Sequence, residues 1–192
     1  MNVPRRAQAM LADPAAAWTA IAGETDDPAY VLSRYVTVLA VIPALFSFLG
    51  ASAIGVVAPG GGTLRASLFN GLFGAIFGYV MACATVLVLA IVINLLAPLF
   101  GGRRSFDSAF KLAAYSFTPV WLAGIFLAMP GLRFLTLTGF YGAYLLWLGL
   151  PRLTKTPAQA SLFFTLSIAA CAAALIYGAA LAQHLVFGTP GI

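Results

Sequence analysis

Charge is scarce in this 192-residue chain: Asp, Glu, Lys and Arg make up 8% of it, where a soluble domain carries about a quarter. Histidine and cysteine are scarcer still, with one His and two Cys, and no carboxylate interrupts any long apolar run. A single histidine cannot build a two-histidine zinc motif. Cys83 and Cys171 sit inside apolar runs without CxxC spacing and read as small apolar residues. Intramembrane hydrolysis would have only Ser52 and His184 to work with. The GxSxG pattern is missing there, because the glycine after Ser52 is Gly55, one residue too far. Gly60-Gly61-Gly62-Thr63 lacks the lysine and preceding strand of a phosphate loop and reads as a turn. Proton-coupled transport usually uses a buried acid or base, and none is visible. The start, Met-Asn-Val-Pro-Arg-Arg, has no short apolar core with a small-residue cleavage site, so a cleavable signal is not expected. These absences predict no enzyme, no catalytic residue, no cofactor and no metal.

Apolar residues make up 62% of the chain, and the mean hydropathy is +1.00. One bilayer crossing takes roughly 20 apolar residues, so several crossings fit. Walking from charge to charge predicts five of them, at about residues 35–58, 68–96, 112–129, 134–150 and 161–187. Pro59-Gly60, Pro98 with Gly101-Gly102, Pro130-Gly131 and Pro151 close the first four. The expectation is an all-α polytopic membrane protein, a five-transmembrane-helix bundle over residues 35–192. Residues 1–34 would form a cytoplasmic segment with a short amphipathic interfacial helix.

The net charge of +5 comes from basic residues set singly or in pairs between apolar runs. That placement suits membrane topology rather than nucleic acid. Five crossings put Arg5, Arg6, Arg34, Arg103, Arg104, Lys111, Arg152 and Lys155 on one side and Arg65 and Arg133 on the other. Basic loops stay inside, so the N-terminus is expected in the cytoplasm and the C-terminus outside. Asp107 and Lys111, four apart, would support the start of the third helix. Asp13-Pro14 opens a helix as a cap and first-turn proline. Leu11, Ala15, Trp18 and Ala22 follow at helical spacing with Ile21 beside them. That helix either lies in the interface with Trp18 as its anchor or packs on the bundle.

Three features could carry function. Small residues recur every fourth position: Ser47, Ala51 and Gly55; Gly74, Gly78 and Ala82; Ala170, Ala174, Gly178 and Ala182. They let helix backbones meet, within one bundle or between copies. Pro119 removes an amide hydrogen and frees the Tyr115 carbonyl inside Tyr115-Ser116-Phe117-Thr118-Pro119; Pro43 does the same to Leu39, near Ser47. Broken helices line solute sites in transporters, although hydroxyls can also simply reoccupy the freed carbonyls. Pro43, Ser47, Tyr115, Thr118 and Pro119 are thus the candidate solute or hinge site. Tyr141 and Tyr144 join it from the fourth run, where Trp147 is the expected interface residue and the deep Tyr141 hydroxyl needs a partner, expected from another span.

With those motifs in hand, the chain resembles the short bacterial branch of the Yip-one (Ypt/Rab-interacting protein) family. The matching residues are Asp13-Pro14 leading to Trp18 and Ile21, Ile42-Pro43-Ala44, the Tyr115-to-Pro119 stretch and, most specifically, Tyr141-Gly142-Ala143-Tyr144-Leu145-Leu146-Trp147-Leu148-Gly149-Leu150-Pro151. The resemblance implies five spans in a cell's inner (plasma) membrane. Eukaryotic members recruit Rab-type GTPases through a long cytosolic N-terminal region. Only 34 residues precede the first run here, so that partner is not carried over. Membrane lipids, a second copy or other membrane proteins are the expected partners. The leading expectation is a non-enzymatic protein that organises partners or the bilayer. The alternative is a carrier or channel for a small solute, ion or lipid working through the proline-broken first and third spans.

Overall fold

Ten residues after the N-cap Asn2 wind into α1 (Val3–Ala12), and Asp13 ends that helix while starting α2 (Pro14–Gly23). The Asp13 carboxylate accepts from the Ala16 amide, and Pro14 fits the first turn, where its missing N–H is no loss. In the computed structural model, which describes residues 2–57 and 63–187, this helical hairpin is followed by five helices long and apolar enough to cross a membrane. They are span one (Pro28–Ile54), span two (Leu68–Phe100), span three (Phe106–Ala128), span four (Gly131–Leu153) and span five (Ala158–Val186). The five-helix, all-α architecture is the one expected. Strand β1 (Val56–Val57) pairs antiparallel with β2 (Thr63–Leu64) between spans one and two. The glycine turn expected at residues 59–62 lies outside the described residues.

The ends of the spans move from their expected places because caps, rather than charges, decide them. Asp27 caps span one by accepting from the Ala29 amide, so the helix starts at Pro28 and takes Arg34 inside it. Ser105 caps span three through the Ser108 amide, and the helix begins at Phe106 instead of 112. Lys111 therefore lies within the span, 6% exposed, and its ammonium donates to the Glu24 carbonyl at 2.5 Å instead of serving Asp107. Span four is short in sequence, but its first half, Pro130–Phe140, is a 3₁₀ helix. That form rises roughly 2.0 Å per residue against 1.5 Å for an α-helix, which lengthens the crossing.

Span three is the central element. Of its most apolar stretch 72% is buried in the protein, against 17–33% for the other four. Spans one and two flank it and span four lies beside it; α1 reaches its Thr118–Ala123 stretch, and α2 packs chiefly on the Tyr141–Leu153 half of span four. An aromatic core marks the junction: Trp18 and Tyr35 both meet Tyr115 edge-on, at centroid distances of 6.2 and 4.8 Å, and Tyr35 also meets Trp121 at 6.3 Å. Trp18 is fully buried. It is thus a packing residue rather than an interface anchor, which corrects that reading of the N-terminal helix.

Candidate functional site

Proline chemistry leads to the centre of span three. Pro119 leaves the Tyr115 carbonyl without a helical donor, and the Thr118 hydroxyl fills the gap, donating to it at 2.6 Å. With its proton so used, Thr118 Oγ1 accepts from the Tyr35 hydroxyl at 2.7 Å. Tyr35, Tyr115 and Thr118 are all 0% exposed. This chain of hydroxyls ties span one to the break in span three and is closed to solute, so Tyr115 and Thr118 do not form the site expected of them. Tyr141 and Tyr144 do not join one either. The Tyr141 hydroxyl donates to the Leu11 carbonyl of α1 at 3.4 Å, a partner from the hairpin rather than from another span. Tyr144 stands half-exposed between Tyr141 and Trp147, an aromatic row on the outer face of span four.

The hairpin is held at the basic end of the bundle by charge. Arg6 pairs with Glu24 and lies over the Tyr115 ring, 5.7 Å from its centroid. Burial alone would lower the Arg6 pKa; the bond to Glu24 and its negative charge carry it above the ordinary value. A polar pocket of about 360 Å³ opens beside this pair, lined by Glu24, Asp26, Asp107, Lys111, Arg152 and Lys155. Three acidic and three basic side chains line it, so its wall carries no net formal charge.

A larger cavity, about 640 Å³, lies within the five spans and is walled almost entirely by carbon. Pro43, Ser47, Thr85, Ser116, Trp121 and Gln183 contribute to it, and among the described residues no Asp, Glu, Lys or Arg does. Of the seven residues of the expected solute site, Pro43 and Ser47 line this cavity; Pro119, Tyr115, Thr118, Tyr141 and Tyr144 do not. Ser47 does not satisfy the Leu39 carbonyl, since its hydroxyl donates to Ala44 at 2.9 Å. Span four touches span five along its Tyr141–Leu153 half, while its Pro130–Phe140 half leans on span three. Thr136, Phe140, Ile176 and Tyr177 line the cavity where those two stretches separate.

The small-residue pattern divides into different roles. Gly74 and Gly78 do not receive a facing backbone: they face the Gln183 side chain, whose amide donates to the Gly74 carbonyl at 3.1 Å. Gly55 meets no other span: it has φ +84° in the turn that ends span one, where a Cβ would stand 2.7 Å from the Leu64 carbonyl of β2. Gly178 meets nothing within 4 Å and so forms no seam inside the bundle. The close approaches lie elsewhere. A Cβ at Gly124 would stand 2.7 Å from Pro43 Cβ, one at Gly142 2.5 Å from the Ser116 carbonyl, and one at Gly149 2.8 Å from Trp18 Cε2. Gln183 and Gly124 were not singled out from the sequence, and Ser116 entered only as part of the Tyr115-to-Pro119 stretch. Of the first two, Gln183 alone left a signal, an amide in an apolar stretch.

Buried hydroxyl pairs, a charge-pinned N-terminal hairpin and an uncharged cavity among five apolar helices define a multi-span helical membrane protein. The sequence pattern of the Yip1 domain matches residues 9–181, and the chain belongs to that family. Inner membrane protein YohC of Escherichia coli strain K12 is 30% identical to it over 148 residues, covering 75% of this chain and 76% of YohC. The YohC of strain CFT073 matches to the same extent. No solved structure matches the chain.

Proposed function

We propose that the chain is a non-enzymatic, multi-pass inner membrane protein that organises the bilayer around it, taking lipid-soluble molecules into its interior from the side. The supporting observation is the cavity: it is uncharged, apolar and placed where span five parts from the 3₁₀ half of span four. A path for ions or polar solutes would need polar groups along its length. Here the Thr118 hydroxyl expected to provide one donates to the Tyr115 carbonyl and accepts from Tyr35, and the Tyr115 side chain is fully buried. The location rests on the name of the E. coli relatives. The orientation rests on the basic residues, which place the N-terminus in the cytoplasm. Membrane lipids are the partners this reading requires; a second copy or another membrane protein is the partner it allows.

The test is reconstitution of the full chain into phospholipid vesicles, with acyl-chain order read from spin-labelled lipid and release read from an entrapped dye. The expected result is altered chain order with no added leak. A second reading, a carrier for a small solute, is favoured by the reach of the cavity to the Pro43 break and the Ser47 and Thr85 side chains. Solute flux with unchanged chain order would put it first.

A further inference from the structure

Four serines and threonines line the large cavity, and three have spent their protons within their own helices. Ser47 donates to Ala44, Thr85 to Met81 and Thr136 to Arg133, all carbonyls at 2.7–2.9 Å. Ser116 differs. It is 1% exposed, lines the cavity, and its Oγ has no hydrogen-bond partner. A buried donor left unmet weighs against the folded state. Water is a poor remedy, since an ordered buried water takes about two to four polar partners. The next wall residues along span three, Phe117 and Val120, offer only hydrocarbon.

The site therefore asks for a hydrogen-bond acceptor attached to something apolar. Its depth narrows the choice. Ser116 lies near the middle of span three, Phe106–Ala128, well inside a hydrocarbon layer roughly 30 Å thick. The ester carbonyls of a bilayer phospholipid stay near its surface, so the acceptor must belong to a molecule dissolved in the hydrocarbon. At about 640 Å³ the cavity falls among small-molecule sites of roughly 300–1,000 Å³. No charged wall residue is present to meet a carboxylate or phosphate. We propose that the cavity binds a neutral, chain-bearing carbonyl compound from the bilayer interior, the chemistry of a prenylated quinone or a long-chain diacylglycerol, with the Ser116 hydroxyl donating to its carbonyl oxygen. This rests on the bilayer-organising reading and names what the bundle takes in.

The experiment uses the full chain in phospholipid vesicles with three photoreactive probes: a prenylated benzoquinone, a diacylglycerol, and a plain hydrocarbon of matching length. Labelling is mapped by mass spectrometry of peptides. The expected result is labelling of residues 136–146 and 172–183 by one of the carbonyl probes, and which probe succeeds identifies the source. Ser116→Ala should cut it roughly two- to tenfold, as loss of one hydrogen bond would. Ala172→Phe, which fills the wall, should abolish it, and Ser167→Ala, off the cavity wall with its hydroxyl spent on the Phe163 carbonyl, should leave it unchanged. Equal labelling by the plain hydrocarbon, unaffected by Ser116→Ala, overturns the proposal. So does label confined to the outward residues Leu162, Phe163 and Leu166 for every probe. Cavity labelling without a change in acyl-chain order would keep this inference while removing the bilayer-organising function, so the two can fail separately.

Discussion

Thr118 shows how one hydroxyl can serve structure where a transport reading would give it to a solute. It satisfies the carbonyl that Pro119 frees and receives the proton of Tyr35. Thr118→Val should strand both groups and cost about 2–3 kcal/mol, with Thr118→Ser nearly neutral; denaturant unfolding in detergent micelles checks this. The need for a partner beside Pro119 was legible in the sequence, because a proline inside a helix always frees one acceptor. Its use by Tyr35 was not, since 83 residues separate Tyr35 from Thr118 and no local spacing reports it. Glycines divide in the same way. Gly142→Ala would drive a methyl against the Ser116 carbonyl, a backbone atom that cannot swing aside, so a loss of about 1–3 kcal/mol is expected. Gly178→Ala meets open space in mid-helix and should gain about 0.5–1 kcal/mol. Thermal midpoints of opposite sign for the two variants would bear this out. Four-residue spacing marks Gly178 and passes over Gly142; only the tertiary neighbours tell which glycine the bundle needs.

Among the elements, the N-terminal hairpin departs furthest from expectation. Its start was legible, because Asp13-Pro14 is a local device that works through the next three residues. Its seat was not, because α2 has the same mixture of alanine, Trp18 and Ile21 whether it floats at an interface or packs on a bundle. Gly149 decides for packing, by leaving room for the Trp18 ring against Leu112. Gly149→Ala should push that ring out and loosen the hairpin. Limited proteolysis should then cut near Arg5 and Arg6 faster, whereas a hairpin held by Arg6 and Glu24 alone would show no change. The 3₁₀ half of span four was hidden for another reason: neither Arg133 nor the turn at Pro130-Gly131 reports the tighter winding that brings it against span three and away from span five.

For the whole molecule, the number of spans came directly from lengths of uncharged sequence, which bilayer thickness makes into a strong constraint. The cavity could not be read that way, as it is a space between five helices rather than a property of any one. Everything proposed for it depends on how the chain threads the bilayer. Five crossings put Arg103, Arg104 and Lys155 on the face opposite Arg65 and Arg133. The direct test starts from a chain with Cys83 and Cys171 replaced by serine and introduces one cysteine at a time at Arg65, Arg103, Arg133 or Lys155, read with a membrane-impermeant thiol reagent. In intact cells stripped of any outer envelope, Arg65→Cys and Arg133→Cys should label, and Arg103→Cys and Lys155→Cys should label only after the membrane is opened. Labelling of Arg65→Cys and Lys155→Cys from the same side would contradict the five-span account.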